Sequence, residues 1–285
     1  MEDVFVPTLD WGNELWTSLV WVGKAWLIAA IATLVVLLLI GRFTNWGRQF
    51  WRISGGYFTG RDSIKVWLFL AVLLASVMIN VRLDVLFTYQ SNDLLTSFQV
   101  VVQGLTSGND EVRQSGIDGF WSTILIFSIL AALSITQLLL DMYLFQRFCL
   151  RWRAWLTDRL TGDWLTGRAY YRARFIDETI DNPDQRIQSD IDIFTATNGP
   201  QPNLPYYGSS NSLLFGAISA VTSVLSFTLI LWNLSGPLTL VGVTLPHAIF
   251  WIAIIYVLFA SIIAFWIGRP IIQLSFLNEK YNAAF

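Results

Sequence analysis

The 285-residue chain contains one cysteine and one histidine, so it carries no disulfide framework and no His/Cys set with metal-ligand spacing. Charge is scarce too. Only 13% of residues are Asp, Glu, Lys or Arg, against about 25% in a soluble domain, so an ordinary aqueous surface is excluded. Neither sign is in excess: 18 Lys and Arg stand against 20 Asp and Glu, a net charge of −2 that argues against a nucleic-acid partner. The Gly-x-x-x-x-Gly-Lys-Ser/Thr loop that cradles nucleotide phosphates is missing, so these residues form no conventional ATP site. No Lys or Arg precedes Lys24, and Asp3, Asp10 and Glu14 occupy the place of a signal peptide's basic region. The first apolar run is therefore retained.

What is present is hydrocarbon, with 54% hydrophobic residues. A bilayer core takes about 20 apolar residues in helical form, and five runs meet that length. They lie at 19–40, interrupted by Lys24; at 66–89, uncharged to Val81; at 119–144, uncharged to Leu140; at 211–232; and at 247–267. Gly236, Pro237 and Pro246 mark a loop between the last two. Lys and Arg are unevenly shared. Segment 41–65 holds five, 145–210 holds eight, and Arg269 and Lys280 add two on the same side, whereas Lys24, Arg82 and Arg113 fall on the other. Positive loops stay in the cytoplasm, which predicts an N-terminus outside and the last residues inside. The final residues are helix formers with no Gly or Pro stop, which predicts a helix cut in mid-course.

Segment 41–65 sets Phe43, Trp46, Phe50 and Trp51 among Arg42, Arg48 and Arg52, the composition of an interfacial helix. Gly55 and Gly56 are expected to hinge it before a cap at Asp62 or Ser63. It reads as an anchoring elbow, with lipid sensing as the sharper alternative. Between spans two and three, Leu94, Leu95, Phe98, Val101, Val102 and Leu105 repeat at helical spacing and predict an amphipathic helix packed outside. The nearby acids Asp84, Asp93, Asp110, Glu111 and Asp118 either attract cationic solutes or solvate a loop. From Phe145 to Phe175 the helical pattern continues straight out of the third span, which predicts a membrane helix running on into the cytosol. Its arginines, Arg151, Arg153, Arg159, Arg168, Arg172 and Arg174, suit either a partner domain or anionic headgroups.

Polar side chains in hydrocarbon usually face protein or water. Ser134, Gln137 and Asp141 share one face of the third span, Ser76, Asn80, Asp84 and Thr88 one face of the second, and Ser219, Thr222, Ser223 and Ser226 one face of the fourth. Asn80, Asp84, Gln137, Asp141, Ser219, Thr222, Ser223 and Ser226 are the candidates for a cavity or gate; the alternative is close helix packing with hydrogen bonds between helices. The fifth span, bearing Ser261, Trp251, Tyr256 and Trp266, is expected to meet lipid. Lys24 reads as snorkelling to the outer interface, and His247, beside Pro246, as an interface residue rather than a proton carrier. No catalytic residue and no metal ligand is expected.

The run Asn182, Pro183, Asp184, Gln185, Arg186 and Ile187 reads as a capped short helix at a loop tip. Asp181 or Asn182 caps it, Pro183 suits its first turn and Asp184 complements its dipole. With the earlier runs Leu-Arg-Trp-Arg-Ala-Trp-Leu-Thr from Leu150 and Trp-Leu-Thr-Gly-Arg-Ala-Tyr-Tyr from Trp164, it resembles the membrane domains of SbmA/BacA-like ABC transporters. Peroxisomal fatty-acyl ABC transporters share the Asn-Pro-Asp-Gln element more distantly. Within the family it looks most like the mycobacterial importers of vitamin B12, bleomycin and antimicrobial peptides.

The resemblance implies an all-α, exporter-like ABC transmembrane domain over 66–285, truncated before its last helices. An outer segment (1–18), an extra N-terminal membrane helix (19–40) and the elbow (41–65) precede it, and 145–205 is its cytoplasmic coupling region. It further implies a homodimer in a bacterial inner membrane that imports hydrophilic solutes, driven by ATP and Mg on a C-terminal nucleotide-binding domain not contained in these residues. Asn182, Pro183, Asp184, Gln185 and Arg186 would face that domain. The second intracellular loop, with its Glu-Ala-Ala-like motif, is missing. Two rivals remain: a proton-driven peptide carrier using Asp141 or Asp84, and a non-transporting scaffold whose arginine-rich loop docks a partner.

Overall fold

The computed structural model describes residues 4–60, 63–166, 210–236, 238–240 and 243–282, with the single positions 171, 188, 190, 191, 194 and 195. Its main elements are α1 (Glu14–Phe43), α2 (Asn45–Thr59), α3 (Ser63–Ser107), α4 (Asp110–Leu165), α5 (Ser210–Leu234), a hairpin of β1 (Leu238–Leu240) and β2 (Val243–Leu245), and α6 (Ala248–Asn282). Apart from that hairpin the elements are α-helical. Helices α1, α3, α4, α5 and α6 are long and apolar enough to cross a membrane. The chain is a multi-pass membrane protein. Two compact units, Met1–Thr222 and Ser223–Phe285, divide inside α5.

The first unit is organised by α3 and α4, which pack against each other along their length, with α1 and α2 against them. At 45 and 56 residues, these helices are about 68 and 84 Å long, more than twice a bilayer's ~30 Å hydrocarbon core. Both must project beyond the membrane. Their tight turn is encoded locally: Gly108 sits at φ 69°, a conformation that favours glycine. The Asn109 side chain then accepts from Glu111 N at 3.0 Å and Val112 N at 3.5 Å, and Asp110 and Glu111 complement the α4 dipole.

The expected separate outer helix is instead the continuation of α3, because no Gly or Pro interrupts the sequence between Ser63 and Gln103. Its packed face is also the opposite one. Gln90, Asp93, Ser97, Val100 and Gly104 are buried, while Leu95, Phe98, Val102 and Leu105 are at least half exposed. Small side chains win here because the helices come very close: a Cβ on Gly104 would lie 2.4 Å from Arg113 N, and one on Gly116 2.7 Å from Val101 N.

At the other end of this pair, Thr44 joins α1 to α2. Its backbone is extended, its N–H donates to Ile40 O at 3.0 Å, and its hydroxyl accepts from Gly47 N at 3.1 Å, so one residue closes α1 and caps α2. Gly55 and Gly56 are not a hinge. Both lie inside α2, on its covered side, and the chain breaks at Gly60 instead. Gly56 permits contact with α4: a Cβ there would stand 2.8 Å from Arg159 Nη1 and 3.2 Å from Trp155 Cζ2.

In the second unit, the strands pair Leu238 with Leu245, Thr239 with Thr244 and Leu240 with Val243 where a plain loop was expected. His247, at φ 54°, stacks on Trp232 with centroids 4.1 Å apart, and its Nδ1 lies 3.0 Å from Trp232 O. Phe250 N donates to Ser235 Oγ at 3.3 Å, which ties the start of α6 to the end of α5. Along α6, Trp251, Tyr256 and Trp266 are half or more exposed, as a lipid-facing surface requires.

Candidate functional site

Polar and aromatic contacts hold the α1, α3 and α4 arm together at three levels. The middle level lies on the apolar stretches of α3 and α4. Gln137 and Asp141 are one helical turn apart on α4 and so face the same way. Opposite them is Ser76 of α3, small enough for close approach and only 5% exposed. Ser76 Oγ donates to Asp141 Oδ1 at 2.6 Å and accepts from Gln137 Nε2 at 2.7 Å, while the same Nε2 reaches Ser76 O at 3.3 Å. A carboxylate in hydrocarbon is costly unless partnered, and this clamp provides partners across the helix pair. Asn80, half-buried, and Asp84, exposed, follow Ser76 along α3 but stand outside the clamp. Ser134 is half-buried on α4 and likewise not part of it.

Ser219, Thr222, Ser223 and Ser226 all lie on the more covered side of α5, each half-buried, while Val221, Val224 and Leu225 are exposed. Thr222 Oγ1 donates to Ile218 O at 2.9 Å, one turn back. Asn182, Pro183, Asp184, Gln185 and Arg186 lie outside the described residues.

The level at the α3–α4 turn was not legible as a site. Residues 4–13 cross this end as a strap. The Asp93 carboxylate, 2% exposed, accepts from Thr8 N at 2.8 Å, from the Thr8 hydroxyl and from Trp11 Nε1 at 3.0 Å. Phe5 N donates to Ser115 Oγ at 3.1 Å, and the Phe5 ring occupies the space a side chain at Gly119 would need. Leu9 and Trp11 pack on Leu83, Leu86 and Leu130. Below the strap, Glu14 and Arg82 form a buried ion pair. Ser18 Oγ donates to Glu14 Oε1 at 2.8 Å and accepts from Arg82 Nε at 3.0 Å, and the guanidinium lies 5.5 Å from the Trp21 ring. The available signal was Arg82 itself, a charge interrupting an apolar run.

At the elbow level, Trp152 of α4 is fully buried, its ring centroid 6.2 Å from Phe50, 6.3 Å from Phe58 and 5.2 Å from Phe194. Arg159 Nη2 donates to Arg52 O at 3.2 Å, a further link from α4 to α2. Burial pushes the Tyr57 hydroxyl above its usual pKa, against the opposing pull of Arg151. The elbow is therefore fused to the extension of α4 instead of being hung from a hinge.

Two crossing helices longer than a bilayer, joined by a mid-depth polar clamp and seated on an elbow helix, form an arm able to carry movement through a membrane. The model of the ABC transporter transmembrane region 2 family matches residues 53–285. The chain belongs to this family. The match begins inside α2, so α1 and the strap precede the family region. Two proteins of Haemophilus influenzae, each described as an uncharacterized ABC transporter ATP-binding protein, are 36% identical over 275 residues and 30% identical over 276. Each alignment covers 96% of this chain and 42% of the relative, so the chain spans about two-fifths of their length. The mouse lysosomal cobalamin transporter ABCD4 is 28% identical over 147 residues, 52% of this chain and 22% of that protein.

Proposed function

We propose that the chain is the membrane part of an ATP-driven importer of hydrophilic solutes in a bacterial inner membrane, working as a homodimer by alternating access. The observation that carries this reading is α4, one unbroken helix of 56 residues that bears the Gln137 and Asp141 clamp in its apolar part and the elbow contacts of Trp152, Trp155 and Arg159 beyond it. Movement imposed on its elbow end reaches the clamp without a joint. ATP and Mg would bind a nucleotide-binding domain following these residues, and 182–186 would face it. The distribution of Lys and Arg supports an elbow in the cytoplasm and a strap outside.

The cobalamin transported by the distant relative and the likeness to importers of cobalamin, bleomycin-like glycopeptides and antimicrobial peptides support a large polar cargo. Asn80 and Asp84 of α3, which stand outside the clamp, are its proposed lining on this arm. Conversion between inward and outward states requires a cargo or nucleotide that binds the two states unequally. The test is uptake of cobalamin or a hydrophilic peptide by the full-length protein in vesicles of defined orientation. ATP-dependent inward flux supports the proposal, flux only outward reverses the direction, and flux driven by a proton gradient without ATP overturns the energy source. Changing Asp184 or Arg186 should separate ATP hydrolysis from uptake; normal transport in both variants removes the coupling assignment.

A further inference from the structure

The rear of α2 is occupied, but its front is not. Gly47, Ser54 and Gly55 are buried and Phe50 is packed in the aromatic core, whereas Trp46, Trp51 and Ile53, with Phe43 at the end of α1, are 42–72% exposed. Among these rings stand Arg42, Arg48 and Arg52, all exposed. Arg48 Nη1 donates to Arg42 O at 3.1 Å and its Nη2 to Asn45 Oδ1, which folds that guanidinium back over the corner between α1 and α2. Among the described residues none of the three forms an ion pair. Nor is there a carboxylate anywhere in the sequence from Leu15 to Arg61.

We propose that this face is a binding site for anionic phospholipid, with the headgroup phosphate held by Arg42, Arg48 and Arg52 and the acyl chains against Phe43, Trp46 and Trp51. Guanidinium forks match phosphate oxygens two at a time, aromatic rings settle at headgroup depth, and the corner follows a membrane helix directly, which fixes the face at the lipid boundary. Zwitterionic lipid offers the same phosphate with a choline cation beside it, and α1 after Glu14 and α2 supply no acid to receive that cation; the neighbouring acid Asp163 of α4 is paired with Arg159. The site would therefore discriminate by net headgroup charge. Because α2 is seated on Trp155 and Arg159 of α4, an occupied site would also steady the elbow end of the arm.

The test requires neither nucleotide nor transport, so its failure is separable from failure of the importer reading. The full chain, purified in detergent, is given equal amounts of phosphatidylglycerol and phosphatidylcholine, and retained lipid is read by native mass spectrometry. Phosphatidylglycerol should be preferred. Each arginine near an anionic surface is worth a factor of about five. Arg48→Gln should then weaken the preference about that much, and the triple Gln variant on the order of a hundredfold, with an unchanged circular dichroism spectrum. Lys24→Gln, which removes a charge from α1 away from the corner, should leave it intact. The proposal is overturned if the wild type shows no preference, if the triple variant keeps it, if Lys24→Gln lowers it as much as Arg48→Gln, or if inorganic phosphate displaces the lipid.

Discussion

The Glu14–Arg82 pair allows a test whose sign, as well as its size, follows from the structure. The two side chains are 8% and 13% exposed, so replacing Arg82 with Met strands the Glu14 carboxylate, and replacing Glu14 with Leu strands the guanidinium. Removing one partner of a buried pair costs on the order of 3 to 5 kcal/mol, whereas removing both in favour of apolar residues is near neutral or stabilising. Arg82→Met also forfeits the cation–π contact with Trp21, worth about 0.5 to 1 kcal/mol, so it should be the worse of the two single variants. At about 2 to 4 °C per kcal/mol for a chain of this size, each single variant should lower the melting temperature by roughly 10 °C and the double variant should recover most of the loss. The chain supplies its own reporter: Cys149, its single cysteine, is a buried thiol outside any disulfide, and a thiol-reactive fluorophore signals its exposure on heating. A double variant as unstable as the sum of the singles would refute the claim that these charges stabilise only through one another.

Gly104→Ala should destabilise far more than Gly56→Ala in the same melt. The new Cβ at 104 meets the Arg113 backbone at 2.4 Å, whereas at 56 its shortest contact is the movable guanidinium of Arg159; overpacking of the first kind costs about 1 to 3 kcal/mol, and equal shifts would refute the distinction. Asp93→Ala leaves Thr8 N and Trp11 Nε1 without their acceptor, so limited proteolysis should cut within residues 4–13 much faster than in wild type; unchanged protection would mean Phe5 and Leu9 hold the strap alone. For the clamp, a double-mutant cycle on Ser76→Ala and Gln137→Leu should show coupling of about 0.6 to 2 kcal/mol, and additive effects would dissolve the clamp.

Helix existence was readable because hydrocarbon length is a strong constraint: a run such as 119–144 has no other soluble or membrane solution of comparable cost. Extent was less readable. Arg82 ends the charge-free part of the second run at Val81, and the predicted span carries past it only to Tyr89; the Glu14 partner, 68 residues earlier, shows how that charge is accommodated inside a longer helix. The outer part of α3 misled for a related reason. Apolar spacing at Leu95, Phe98, Val102 and Leu105 predicts a buried stripe in water, but beside a membrane the packed face is the one with small residues. Ser97, Gly104 and Gly116 carried that information in the sequence. Within the candidate site, Gln137 and Asp141 were visible as a polar face, while Ser76 was one hydroxyl among many until the helices met.

The three levels of the arm differ in chemistry, and that difference bears on how it would move. Between the clamp and the turn, Asp93 and the Glu14–Arg82 pair combine buried charge with several hydrogen bonds, and at the elbow Trp152 sits among close-packed rings. In the middle, the Ser76 hydroxyl bridges two longer side chains, Gln137 and Asp141. In the proposed alternating-access cycle, α1, α3 and α4 would thus turn as one body at their ends and adjust, if anywhere, at Ser76. In that proposed cycle helix α1, tied to α3 through Arg82 and through the Trp26 Nε1 bond to Ala71 O at 2.9 Å, would brace the helix that carries Ser76, so that force entering at the elbow would not be lost in bending.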